Sequence, residues 1–81
     1  MTLSTPPDGT RVLDARLEAL VHECPDCQVP MHGTGLMTWN TLSRRWLVEY
    51  ECPAHRGRVL RWGQDVEHLV RDAAVHAGFP G

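Results

Sequence analysis

Three cysteines and one histidine fall into two matched pairs, Cys24-Pro25-Asp26-Cys27 and Cys52-Pro53-Ala54-His55. Each pair leaves two residues between its potential donor atoms, and each has a proline directly after the first cysteine. Two intervening residues let the chain turn tightly, so that both donors reach one point while the following N–H groups aim at the first sulfur. Thiolate and imidazole are zinc donors, and zinc takes four of them tetrahedrally, at about 2.3 Å for sulfur and about 2.0 Å for nitrogen. The 24 residues from Gln28 to Glu51 separate the pairs. That is enough for a two-stranded arm that carries the second pair back to the first. One structural Zn2+ on Cys24, Cys27, Cys52 and His55 is the expectation. A catalytic zinc keeps a position open for water. Here four donors fill the shell, and no nucleophile–base pair or phosphate loop appears, so no catalysis is expected.

Other assignments compete for the same residues. Cys24 and Cys27 could form a redox pair, but that motif opens a helix after a strand, and Cys24 follows an expected helix. The thiols could be buried apolar groups, which would leave two matched turns without a cause. His22 or His32 could supply the fourth ligand, yet only His55 completes a second knuckle.

The order C-P-x-C then C-P-x-H resembles the zinc-ribbon class, over about Cys24 to Trp62. The resemblance implies two knuckles at the base of a β-hairpin, clamping one zinc ion, and selects no family within the class. His55 stands where the class more often has a fourth cysteine. A Cys3His set remains a structural zinc set, whereas an all-thiolate iron site is disfavoured. Zinc ribbons often serve nucleic-acid machinery, so the resemblance also implies an accessory or regulatory factor in transcription, replication, repair or RNA-associated work.

Several elements must position these donors. Leu13, Leu17, Leu20 and Val21 recur at helical spacing from Thr10 to about Glu23, and Cys24-Pro25 would end that helix. Residues 28–52 read as a β-hairpin, with Gly33 and Gly35 marking a bulge or bend and Asn40 to Ser43 the turn. In the second arm Trp46, Val48, Tyr50 and Cys52 alternate with Leu47, Glu49 and Glu51. A third short strand is expected over Arg58 to Trp62. Val66, Leu69, Val70, Ala73, Ala74 and Ala77 describe a final amphipathic helix, with Asp65 as N-cap and Gly78 as C-cap. The expected fold is small α+β: a zinc ribbon of two or three antiparallel strands, flanked by an N-terminal and a C-terminal α-helix. Residues 1–9, rich in Pro, Ser and Thr, are expected to be a flexible lead, and residues 10–81 a single domain.

A chain of 81 residues buries too little surface to be robust without a metal, disulfides or a partner. Three cysteines suit a disulfide framework poorly. No apolar run approaches the roughly 20 residues of a membrane span, and the N-terminus lacks the order of a signal peptide. A reducing cytoplasm is therefore expected, with no membrane and no small-molecule substrate. Net charge is -2, which argues against a general nucleic-acid binder. Locally, however, Arg44 to Trp62 carries +3 between acidic flanks. Arg44, Arg45, Arg56, Arg58 and Arg61, with Trp39 and Trp62, are the candidate contacts for DNA, RNA or a larger protein complex. Guanidinium groups meet phosphates while bases stack on rings. Trp46, which shares a face with Val48 and Tyr50, belongs in the core. The two remaining readings are a nucleic-acid accessory module and a protein–protein adaptor or small subunit whose zinc only holds the fold.

Overall fold

A computed structural model describes residues 6–79. The elements are β1 (Arg11–Leu13), a 3-10 helix (Ala15–Ala19), β2 (Val21–Glu23), β3 (Pro30–Asn40), β4 (Arg45–Glu51), β5 (Arg58–Arg61), a 3-10 turn (Gln64–Val66) and α1 (Glu67–His76). The five strands form one antiparallel sheet, ordered β1-β3-β4-β5, with β2 also on β3.

The sheet grows around β3 and β4. The alternation in β4 buries Trp46, Val48 and Tyr50, and Cys52 just beyond it, on one face. Leu47 is half-buried and Glu51 exposed on the other face. Glu49 shares that outer face yet is buried, because its carboxylate accepts a 2.7 Å hydrogen bond from the Thr34 hydroxyl. The expected third strand is present as β5, with Tyr50 opposite Val59 and Glu49 opposite Leu60.

The expected N-terminal helix does not form. Its sequence is divided into β1, the 3-10 helix and β2, which pair with the two ends of β3: Leu13 opposite Leu36, and His22 opposite Met31. A helix over the same residues would leave the long outer edge of β3 with unpaired N–H and C=O groups, which the two short strands satisfy. Asp14 breaks the periodicity. Its backbone is extended and its carboxylate accepts the Arg16 N–H, which caps a fresh 3-10 start. Of the four residues that marked the helix, Leu17 is fully buried, whereas Leu13 is 80% exposed and Val21 56% exposed.

Two glycines seat this arm. A Cβ on Gly33 would lie 2.0 Å from the Leu17 carbonyl oxygen, and Gly35 has φ +90. The Gly35 carbonyl accepts the Asp14 N–H at 2.9 Å, and the Gly33 N–H donates to Leu20 at 2.9 Å. The expected irregularity is found there, as a register shift between Gly33 and Met37.

At the other end of the chain, α1 lays Val70, Ala73 and Ala74 onto the core, against β4. Asp65 does not cap it. The chain enters through the 3-10 turn instead, whose N-cap is Gly63, with no side-chain cap bond at either start. Gly78 closes the helix with φ +97. Its N–H donates to Val75 and the Phe79 N–H to Ala74, at 3.0 and 2.9 Å, the paired bonds of a Schellman end. That turn sets Phe79 against Trp46, ring centroids 5.6 Å apart. Arg16 ties the 3-10 helix to α1, bonding Asp14 at 2.7 Å and Asp72 at 2.6 Å. The guanidinium lowers Asp14 to about 2 and also pulls Asp72 below its ordinary value.

Residues 6–9, the described part of the expected lead, form a turn tied to the hairpin. The Gly9 N–H donates to the Trp39 carbonyl, and the Asp8 carboxylate accepts the Thr41 N–H. Residues 1–5 lie outside the described residues. No described helix is long and apolar enough to cross a membrane.

Candidate metal centre and basic surface

Two loops of the same construction hang from one end of the sheet. Cys24 follows β2 and Cys52 follows β4, the strands on either side of the Pro30–His32 end of β3. In the first loop the Gln28 N–H donates to the Cys24 carbonyl at 2.8 Å, and the Cys24 N–H to Val29 at 2.9 Å. In the second the Arg56 N–H donates to Cys52 at 2.7 Å, and the Cys52 N–H to Gly57 at 2.9 Å. The residue after each second donor is left-handed, with φ 60 at Gln28 and φ 56 at Arg56.

These loops bring Cys24, Cys27, Cys52 and His55 together, with ligand atoms within 4.8 Å of one another. A tetrahedron with bonds of about 2.3 Å has edges of about 3.8 Å, so the four groups could hold one metal ion. Cys24 and Cys52 are buried, Cys27 is half-buried and His55 is exposed. The His55 ring lies against Gly57, where a Cβ would come within 3.0 Å of Nε2. Burial works against ionising Cys52, but the N–H groups of His55 and Ala54 and the adjacent thiols outweigh it and lower its pKa. Burial, then hydrogen bonds to Cys52 and Cys24, push the Cys27 thiol up to about 11. Three sulfurs this close share their protons unless a cation lies among them.

The rival ligands stand elsewhere. His22 sits beside the Tyr50 ring, centroids 5.6 Å apart. His32 pairs with Val21 and Glu51 across the sheet. Cys24 follows a strand, β2, and not the expected helix. No helix follows Cys27, however; the chain runs through a turn into β3, and its sulfur meets Cys52 and His55 as well as Cys24.

The arginine cluster of the sequence is divided in space. Arg44 and Arg45 lie at the hairpin tip, whereas Arg56 is in the second knuckle and Arg58 opens β5 opposite Glu51. The seven residues of β4 separate the two groups by about 20 Å at roughly 3.3 Å per residue. Arg61 lies between them, opposite Val48. Among the described residues the ion pairs are Arg16–Asp14, Arg16–Asp72, Arg71–Glu67 and His76–Asp72, so none of these five arginines has one.

The tryptophans divide as well. Trp46 is in the core, as its alternation implies. Trp39 is half-buried and meets Trp46 edge-on at 5.4 Å; its indole N–H is buried without an acceptor among the described residues. Trp62 is half-buried. It carries the Arg45 guanidinium 3.7 Å from its ring centroid and donates its N–H to Glu67 at 2.8 Å. Arg71, which the sequence reading passed over, bonds the same Glu67 at 3.2 Å. Its i,i+4 spacing from Glu67 was the available signal. Trp39, Arg44, Arg45, Trp46, Glu67 and Arg71 line a cleft of about 180 Å3 at the hairpin tip, floored by Ala74.

No protein-family model matches the sequence, and no curated protein or solved structure matches it either.

Proposed function

We propose that this chain is a non-catalytic binding module, stapled by one structural zinc ion, that docks a protein partner on the open face of its sheet. The observation that carries this reading is the face opposite α1. Leu13 stands opposite Leu36, Leu47 opposite Thr38, and Leu60 opposite Glu49. The register therefore puts Leu13, Leu36, Leu47 and Leu60 on one surface across β1, β3, β4 and β5. Leu13 is 80% exposed and Leu60 44% exposed. One exposed leucine needs no explanation, but two, flanking half-buried Leu36 and Leu47 on adjoining strands, make a patch that suits a protein interface. Exposed Arg11 and Arg58 share this face and have no carboxylate within 4.0 Å among the described residues. The partner chemistry that fits is an apolar surface with polar groups at its edge, since Glu51 stands opposite Arg58 on this face.

Zinc is the metal that the donor set favours, and three thiol ligands suit a reducing compartment such as the cytoplasm. The four ligands leave no open position for a reacting water. A nucleic-acid role is the second reading, favoured by Arg44 and Arg45 beside Trp39 and Trp62. The division of the arginines between the two ends of the sheet weighs against an extended nucleic-acid track.

The test is affinity purification of the zinc-loaded chain and of a Leu13→Glu, Leu60→Glu variant from cells that make it naturally. A protein held in fixed ratio by the native chain, and lost by the equally folded variant, supports the docking face. A partner retained by the variant removes it.

A further inference from the structure

The hairpin-tip cleft has a charge arrangement that the fold does not require. Its walls carry three guanidinium groups, those of Arg44, Arg45 and Arg71, against one carboxylate, that of Glu67. Glu67 already serves two donors, Trp62 through Oε2 and Arg71 through Oε1. The Arg45 guanidinium carbon lies 3.7 Å from the Trp62 ring centroid, a cation–π contact that does not consume its N–H groups. Arg71 uses its Nε on Glu67, leaving its terminal nitrogens to other acceptors. Arg44 closes the hairpin loop with φ 55, a left-handed position that glycine or asparagine fills more easily. Two anchored cations and one in a strained setting thus converge where only one anion balances them, and planar guanidinium groups suit the oxygens of a phosphate. Beside them the half-buried Trp39 supplies an aromatic wall, a surface on which a base stacks.

We infer that this cleft binds a nucleoside phosphate, with the phosphate on Arg44, Arg45 and Arg71 and the base against Trp39. The inference does not depend on the docking face, because the cleft lies on the α1 side of the sheet, where Trp46 and Ala74 form its floor. The ligand is either a free nucleotide or one nucleotide of a single strand. The cleft, of about 180 Å3, is smaller than the roughly 300 Å3 of a pocket that encloses a whole ligand, so it seats part of one such unit and leaves the rest in solvent. The knuckle arginines, about 20 Å away, are too far to share it.

Isothermal titration of the zinc-loaded protein with adenosine monophosphate, inorganic phosphate and short single-stranded oligodeoxyadenylate tests this. Adenosine monophosphate should bind saturably and more tightly than phosphate, and binding should weaken with salt. Arg44→Ala and Arg71→Ala should each weaken it about tenfold or more, the loss of a charge-assisted hydrogen bond. Zinc content and circular dichroism of both variants should match the native chain. Arg44→Gly relieves the left-handed backbone, so it should melt no lower than the native protein and still lose the ligand. Oligonucleotide binding tighter than the mononucleotide, with the same arginine dependence, supports the inference and names a strand as the source. Tighter mononucleotide binding supports it and names a free nucleotide. Phosphate binding as well as the mononucleotide, no binding at millimolar concentration, or affinity unchanged in both alanine variants overturns it.

Discussion

Gln28 and Arg56 are structural counterparts: each follows the second donor of its knuckle, each is left-handed at φ 60 and 56, and each returns its N–H to the first cysteine's carbonyl. Their backbone geometry repeats although their side chains share nothing. The loop shape, set by Cys-Pro and the two-residue spacing, dictates the conformation. Neither side chain benefits from it.

Replacing either residue with glycine should therefore stabilise the metal-loaded protein. A left-handed L-residue costs roughly 1–2 kcal/mol, and glycine returns about 0.5–1 kcal/mol of that through lost chain entropy. Thermal melts of Gln28→Gly and Arg56→Gly should rise by a few degrees. A fall in either would mean that the side chain itself supports the knuckle.

Chelation should unfold the sheet. Structural zinc in small peptides supplies about 10–16 kcal/mol of apparent binding free energy, as large as the whole net stability of an ordinary domain, about 5–15 kcal/mol. Strand circular dichroism should collapse on metal removal and return when zinc is restored. Trp46 emission should shift to the red as its ring leaves the Trp39 and Phe79 contacts. Unchanged spectra after full chelation would contradict the structural role of the metal.

Gly33→Ala should detach the β1–β2 arm. The new Cβ would fall 2.0 Å from the Leu17 carbonyl oxygen, a backbone atom with little room to yield. A loss of about 1–3 kcal/mol is expected from such overpacking. Denaturant melts measure it, and amide exchange should show the loss concentrated in residues 11–23.

How much of this the sequence disclosed varies with how local the cause is. The metal donors, the alternation of β4 and the Gly78 helix end are local patterns, and each can be read along the chain. The stretch from Thr10 to Glu23 is different. Leu13, Leu17, Leu20 and Val21 fit helical spacing, but the long edge of β3 and the Gly33–Gly35 bend decide their structure from further along the chain. Tertiary pairing overrode propensity there. The basic segment is divided in space for a related reason. Arg44 and Arg58 are close in sequence, yet β4 carries its two ends to opposite ends of the sheet. Arg71 has no mark of its own beyond its spacing from Glu67; only the packing of α1 brings it to the hairpin tip.

Acid should loosen the Arg16 tie. Asp14 falls from an ordinary value of 3.8 to about 2, chiefly through its hydrogen bonds with Arg16. A carboxylate lowered on folding adds stability above its unfolded pKa and loses it as pH falls through the folded value. The stability difference between the native chain and Arg16→Ala should thus be constant above about pH 5, shrink between about pH 4 and 2, and vanish below that. The comparison between variants cancels the acid loss of the metal ligands, which both share. The pair is solvent-exposed, so the difference will be small and reduced by salt. A difference that grows as pH falls would contradict the assignment.

The proposed module depends on one zinc ion held by Cys24, Cys27, Cys52 and His55. X-ray absorption at the zinc edge, on protein purified without added metal, reads out that shell. One zinc per chain, with three sulfurs at about 2.3 Å and one nitrogen at about 2.0 Å, is the predicted result, and His55→Ala should lose the nitrogen shell. Substoichiometric zinc, a shell containing light-atom water, or a nitrogen ligand that survives His55→Ala would contradict it.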